Sequence, residues 1–128
     1  IGVAQMVRVK ELLLKRKKVF ENYNKLLSRT KNIILLPSNK WSENSYWLYT
    51  IILKKNNRDK TLKSLQNRGI DARTSFYPLS IMPPYKKFAK KRCNVSEYLG
   101  LRGISLPSSN ISLGEQKYIV NVLKEELN

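Results

Sequence analysis

From Val3 to about Ser28 apolar residues recur at helical spacing. Met6, Leu13, Phe20 and Leu27 stand seven apart, with Val9, Leu12, Val19, Tyr23 and Leu26 beside them. Lys10, Lys15, Lys17, Lys18 and Lys25 fill the remaining positions. The stripe is long enough for a coiled coil, but Arg16 interrupts it, and a helix lying across a sheet or a domain boundary fits better. Ile33–Leu36 is a short apolar run closed by Pro37, and Ser38–Asn44 is polar and turn-like. Ser45–Leu53 is rich in aromatic and β-branched residues and predicts a strand. Both of its alternate faces are apolar (Tyr46, Leu48, Ile52 and Trp47, Tyr49, Ile51), which predicts a central strand covered on both sides.

Lys54-Lys55-Asn56-Asn57 reads as a turn into a helix over Asn57–Arg68 that buries Leu62 and Leu65. Gly69 stands where a helix end calls for left-handed geometry. Ile70 and Ala72 then alternate with Asp71 and Arg73 at strand spacing, and Pro78 ends that strand. Met82-Pro83-Pro84-Tyr85 predicts a rigid connection. Val95–Leu101 predicts a helical segment stopped near Gly100 or Gly103, and Ile104–Leu106 a short strand ended by Pro107. Ser112-Leu113-Gly114-Glu115 has the spacing of a capping box and opens a last helix with Ile119, Val120, Leu123 and Leu127 on one side. Helices outside a small mixed sheet satisfy this order, so the expected fold class is α/β, a two-layer sandwich.

Composition sets the outer bounds. The 128 residues suffice for one domain with one core. No long uncharged apolar run predicts a membrane span. The chain lacks an initiating Met and a signal pattern and opens inside a helix, which reads as a piece of something longer. The single cysteine, Cys93, has no partner for an internal disulfide, and a reducing, cytoplasmic setting is the simple reading. Cys93 follows Lys90-Lys91-Arg92, but without histidine no base would activate it as a nucleophile, and one cysteine without histidine argues against zinc.

The net charge of +16 invites a nucleic-acid reading. However, the basic residues are spread along the chain, and no reader motif accompanies them. A basic nucleic-acid-binding module therefore stands as an alternative. A phosphorylated substrate or an acidic facing domain would answer the same charge.

The densest convergence of chemistry is Gly69–Ser80, GIDARTSFYPLS. It brings a cation, aromatics and a fixed-φ residue together at a strand end, where ligand groups are commonly mounted. The competing reading is that Arg73 pairs with a surface carboxylate and Tyr77 is an amphipathic core residue. With SYWLYTI upstream, SEYLGLRGISLPSS downstream and the opening IGVAQM before a long helix, the chain resembles the C-terminal part of the DegT/DnrJ/StrS-type nucleotide-sugar aminotransferases. Those are pyridoxal-phosphate enzymes of the aspartate-aminotransferase fold, and the resemblance covers essentially the whole chain.

The resemblance implies residues 1–128 as a single C-terminal small domain, with 1–28 its inter-domain helix. It implies that the large N-terminal domain, which carries the Schiff-base lysine and binds pyridoxal 5'-phosphate, is absent here. No cofactor-binding or catalytic residue is then expected in this chain, which would be inactive alone. The parent would be a homodimer moving an amino group from glutamate to a keto nucleotide-sugar. A sugar dehydratase of the same fold is the alternative within the family. By the same resemblance Arg73 matches the arginine of the family's GI-x-x-R block, whose planar fork suits a carboxylate or phosphate. Tyr77 belongs to the Tyr-Pro-Leu turn that approaches the active site. Ser80 stands where relatives often carry histidine and retains only a hydrogen-bonding hydroxyl. Ser45 and Tyr46 are further candidates to line the cleft, with plain packing as the competing reading.

Overall fold

The computed structural model describes residues 2–55 and 57–127. Asn56 of the expected turn, and Ile1 and Asn128 at the ends of the expected domain, lie outside them. The chain opens with two helices, α1 (Gly2–Val7) and α2 (Val9–Leu27). The expected continuous helix is therefore broken at Arg8, which takes φ −104° and ψ 4°. Strands β1 (Ile33–Leu35) and β2 (Tyr49–Leu53) follow, then helix α3 (Arg58–Asn67) and the two-residue strand β3 (Arg73–Thr74). A 3-10 turn at Leu79–Ile81 leads through the single-turn α4 (Pro83–Lys86) into α5 (Asn94–Arg102), β4 (Gly103–Leu106) and α6 (Leu113–Leu127).

The strands form one sheet in the order β1-β2-β4-β3. The expected two-layer α/β sandwich is present, but its sheet is antiparallel in all three ladders rather than mixed. The long excursion over residues 75–102 brings the chain back to the end of β3 from which it left. The strand that follows, β4, must therefore run against β3, and it inserts between β3 and β2.

Alternation along the strands decides which face is core. Tyr49, Ile51 and Leu53 of β2 and Ile104 and Leu106 of β4 pack with Phe20, Tyr23 and Leu27 of α2, Leu65 of α3, and Ile119, Val120 and Leu123 of α6. Each fully buried aliphatic side chain there stabilises the fold by about 1.5–3 kcal/mol. Gln116 is fully buried yet satisfied. Its Nε2 donates to the Val19 carbonyl at 2.8 Å, and its Oε1 accepts from Asn22 Nδ2 at 3.1 Å, which locks α6 to α2. The Tyr23 hydroxyl donates to the Pro107 carbonyl at 2.7 Å, fixing the chain just after β4. Thr50 and Ile52 of β2 point to the opposite face, against which α5 packs. Central and covered on both sides, β2 is as expected, but it begins at Tyr49 rather than Ser45. Tyr46 takes φ 54°, a left-handed conformation that no extended strand accommodates.

Candidate functional site

Ser105 of β4 has Thr50 as its partner in β2 and Arg73 as its partner in β3. Direct cross-strand partners share a face, so Thr50, Ser105 and Arg73 form a row across the sheet, opposite the α2–α6 core. The hydroxyls of Thr50 and Ser105 lie 2.9 Å apart and share a hydrogen bond. At the end of the row the Arg73 side chain is 76% exposed. It donates to Asp71 through Nε (3.3 Å) and Nη2 (3.0 Å). Those hydrogen bonds and the charge of Asp71 hold the guanidinium's pKa above its ordinary value. Arg73 thus carries a two-pronged carboxylate contact to its own loop, on a side chain otherwise in solvent.

The Tyr77-Pro78 turn is fixed from behind by a residue that sequence reasoning passed over. Arg58, the first residue of α3, is only 4% exposed. It donates through Nε to Asp59 (2.7 Å), through Nη1 to the Gly100 carbonyl (3.0 Å) and through Nη2 to the Tyr77 hydroxyl (3.3 Å). Its guanidinium carbon also lies 5.4 Å from the centre of the Tyr77 ring. Burial pulls its pKa down, but the hydrogen bonds to Asp59 and Tyr77 outweigh that and leave it raised. Pro78 lies so close to Gly100 that a Cβ there would stand 2.6 Å from the proline Cδ, so α5 must carry glycine at this contact. The only sequence signal for Arg58 is a cation in the first turn of a helix, where the helix dipole disfavours it.

The remaining candidates are dispersed. Ser45 is exposed and forms no hydrogen bond among the described residues. Tyr46 is half-buried, its ring edge-on to Phe20 at 5.3 Å. Ser80 borders a shallow hollow with Lys86, Lys91 and Arg92, and its buried hydroxyl has no partner among the described residues. No hydrogen bond or ion pair joins Arg73 to Tyr77 among the described residues. What brings the Tyr46 and Tyr77 segments together is the pair next to them, Trp47 and Phe76, with ring centres 6.0 Å apart. Both are open to solvent, at 61% and 73% exposure.

A hollow of about 450 Å³ lies between α2 and the segment joining β1 to β2. Phe20, Tyr46 and Tyr49 line it together with Glu21, Glu43 and Asn24. Holding pyridoxal phosphate covalently takes a lysine shielded from water. Among the described residues every lysine is exposed except the half-buried Lys17 and Lys124. Cys93 is exposed, just ahead of α5. Among the described residues no helix is long and apolar enough to cross a membrane.

Comparison with known proteins supplies what geometry alone does not. Residues 1–124 match the DegT/DnrJ/EryC1/StrS aminotransferase family. The chain belongs to that family. Among its curated relatives, GDP-perosamine synthase of Caulobacter vibrioides is 35% identical over 112 residues, covering 84% of this chain and 30% of that protein. GDP-perosamine synthase of Vibrio cholerae is 33% identical over 133 residues, covering 100% of this chain and 36% of that protein. The chain thus spans about a third of the length of these family members. The fold agrees with Helicobacter pylori PseC, an aminotransferase involved in the biosynthesis of pseudoaminic acid (TM-score 0.88, 23% identity, 98% of this chain and 35% of that one). It agrees as well with the aminotransferase TlmJ of Streptoalloteichus hindustanus (TM-score 0.89, 20% identity, 98% and 34%).

Proposed function

We propose that this chain is the smaller, C-terminal part of a pyridoxal-phosphate-dependent aminotransferase. The whole protein moves an amino group from glutamate to a keto nucleotide-sugar. The observation that carries this reading is the family match along residues 1–124 of a chain one third as long as its relatives. Two of those relatives are named as GDP-perosamine synthases, which makes a GDP-linked sugar the first substrate to test. The cofactor and the lysine that holds it belong to the part of the parent outside this chain. The exposure of the lysines here supports that division.

In this reading the chain closes the site. Arg73, on the sheet face carrying the Thr50–Ser105 hydroxyl pair, exchanges Asp71 for a substrate carboxylate or phosphate. Tyr77, held by Arg58, supplies a rigid aromatic edge to the cleft. Ser80 adds a hydroxyl, and Ser45 and Tyr46 border the same entrance through Trp47 and Phe76. The parent works as a homodimer.

In the full-length parent, Arg73→Ala abolishes turnover with glutamate and nucleotide-sugar while pyridoxal phosphate stays bound, as its absorbance reports. Unchanged turnover would reduce Arg73 to a surface ion pair. The isolated chain mixed with pyridoxal phosphate and borohydride yields no adduct at one unique lysine; such an adduct would overturn the division of labour.

A further inference from the structure

Helix α5 is built inside out. The core face of an amphipathic helix shows as apolar residues at i, i+3, i+4 and i+7. In α5 that spacing is Val95, Tyr98 and Leu99, continued by Arg102. At about 3.6 residues per turn this stripe lies opposite Glu97 and Gly100, the two residues that α5 buries. Val95 is 74% exposed, Leu99 41% and Tyr98 38%.

The buried side is chosen by fit rather than by apolar character. A Cβ on Gly100 would stand 2.6 Å from Pro78 Cδ, so turning the helix to bury Val95 or Leu99 would drive a larger side chain into that proline. The Glu97 carboxylate accepts from Arg92 Nε at 2.8 Å, which makes its burial tolerable. The apolar stripe is therefore held outward.

The end of the stripe carries a second sign of a missing neighbour. Arg102 lies over the Tyr98 ring at 4.6 Å, and its buried Nε has no acceptor among the described residues. Buried N–H groups are nearly always paired, so this one calls for an acceptor from another surface. The strongest match for a guanidinium is a carboxylate.

Charge and apolarity together choose the occupant. From Lys86 to Arg102 there are six cations against one acid, Glu97, which is already paired. A second copy of this chain would set those cations against their own kind. A nucleic acid would meet the cations but leave Val95 and Leu99 against a charged backbone. A polypeptide face with apolar side chains bordered by carboxylates answers the stripe, the orphaned Nε and the charge at once. The chain spans about a third of the length of its relatives, so the rest of the parent is the source of such a face.

We propose that α5 is a docking surface for the larger part of the parent, which covers Val95, Tyr98 and Leu99 and gives Arg102 a carboxylate. The proposal rests on the division of the parent made above but not on its cofactor or its reaction, so the two can fail separately.

The test compares the full-length parent with the 128-residue chain, each carrying Val95→Cys in a Cys93→Ser background. Maleimide labelling at position 95, located by peptide mass, is normalised to the same protein unfolded in guanidinium. Both substitutions are at exposed positions, and the far-UV spectrum checks the fold. The chain is expected to label near the unfolded rate, and the parent at least about tenfold more slowly. Adding Arg102→Gln to the parent is expected to recover most of the lost rate. A photo-crosslinking side chain in place of Tyr98, in parent assembled from isotopically light and heavy copies, is expected to capture an acidic segment of its own molecule. Equal labelling of chain and parent, protection that survives Arg102→Gln, crosslinks joining light to heavy copies, or protection of the 128-residue chain by added duplex DNA would each overturn the proposal.

Discussion

Arg58 shows how one side chain sets the position of others. A buried guanidinium is tolerable only when its donors are satisfied, and here all three donating nitrogens find oxygen. The contact to the Gly100 carbonyl ties α3 to α5, and the contact to the Tyr77 hydroxyl ties both to the turn. Replacing Arg58 by alanine would leave that carbonyl with the longer contact from Ser75 Oγ (3.3 Å) and the ring without its cation. The expected cost is about 2–4 kcal/mol, read as a lower urea midpoint with an unchanged slope. Arg58→Lys should recover little of it, because a single ammonium cannot span the fork's directions. If lysine restored full stability, the cluster would be held by charge alone. Arg58 escaped sequence reading because nothing in Asn57-Arg58-Asp59 separates a buried cation from a solvated one. Burial is a property of what packs over the residue, and Gly100 and Tyr77 are 42 and 19 positions away.

The elements divide by how local their causes are. The capping box of α6 was legible because its bonds close within four residues. The Glu115 N–H donates to Ser112 Oγ (3.2 Å), and the Ser112 N–H donates to Glu115 Oε2 (2.8 Å). The Gly69 stop was legible for the same reason, and its φ is 75°. Helices α2, α3 and α6 followed from periodicity. Residues 45–48 did not follow, because their composition says strand while a distant cation, Arg16, holds their carbonyls and turns Tyr46 left-handed. The placement of the candidate residues was legible in part: Arg73 stands in a strand and Tyr77 before the proline turn, but the residues that support Tyr77, Arg58 and Gly100, come from tertiary contact.

Side-chain and backbone hydrogen bonds from Ser112 hold the Glu115 pKa below its ordinary value of 4.5. A carboxylate depressed in the folded state favours folding above its unfolded pKa, and the benefit disappears as pH falls through the folded value. Stability should therefore drop between about pH 4.5 and the lower folded pKa, and Glu115→Gln should flatten that part of the profile. An unchanged acid limb in the variant would assign the loss to other carboxylates.

At the scale of the whole molecule, a charge of +16 outweighs any single ion pair. The pairs Arg8–Glu11, Lys15–Glu11, Arg68–Glu125 and Arg73–Asp71 are all solvent-facing. Pairs of that kind contribute about 0–1 kcal/mol each. Against them stand like-charge runs at Lys15-Arg16-Lys17-Lys18 and Lys90-Lys91-Arg92, and repulsion between surfaces that folding brings together. Salt weakens both, but unequally. Contact pairs feel little screening at their short separation, whereas charges beyond a Debye length, about 8 Å at physiological ionic strength, lose most of their interaction. Raising sodium chloride from low to physiological concentration should therefore raise the melting temperature, with most of the gain at the dilute end. Chloride rather than sulfate keeps the measurement clear of general salting-out. A melting temperature that fell instead would mean that Arg68, bridging α3 to Glu125 and Glu126 of α6, matters more than the long-range field. The same field bears on the proposed function. A surface that repels itself attracts a diphosphate, so the charge that costs stability would draw a nucleotide-sugar to the wall carrying Arg73.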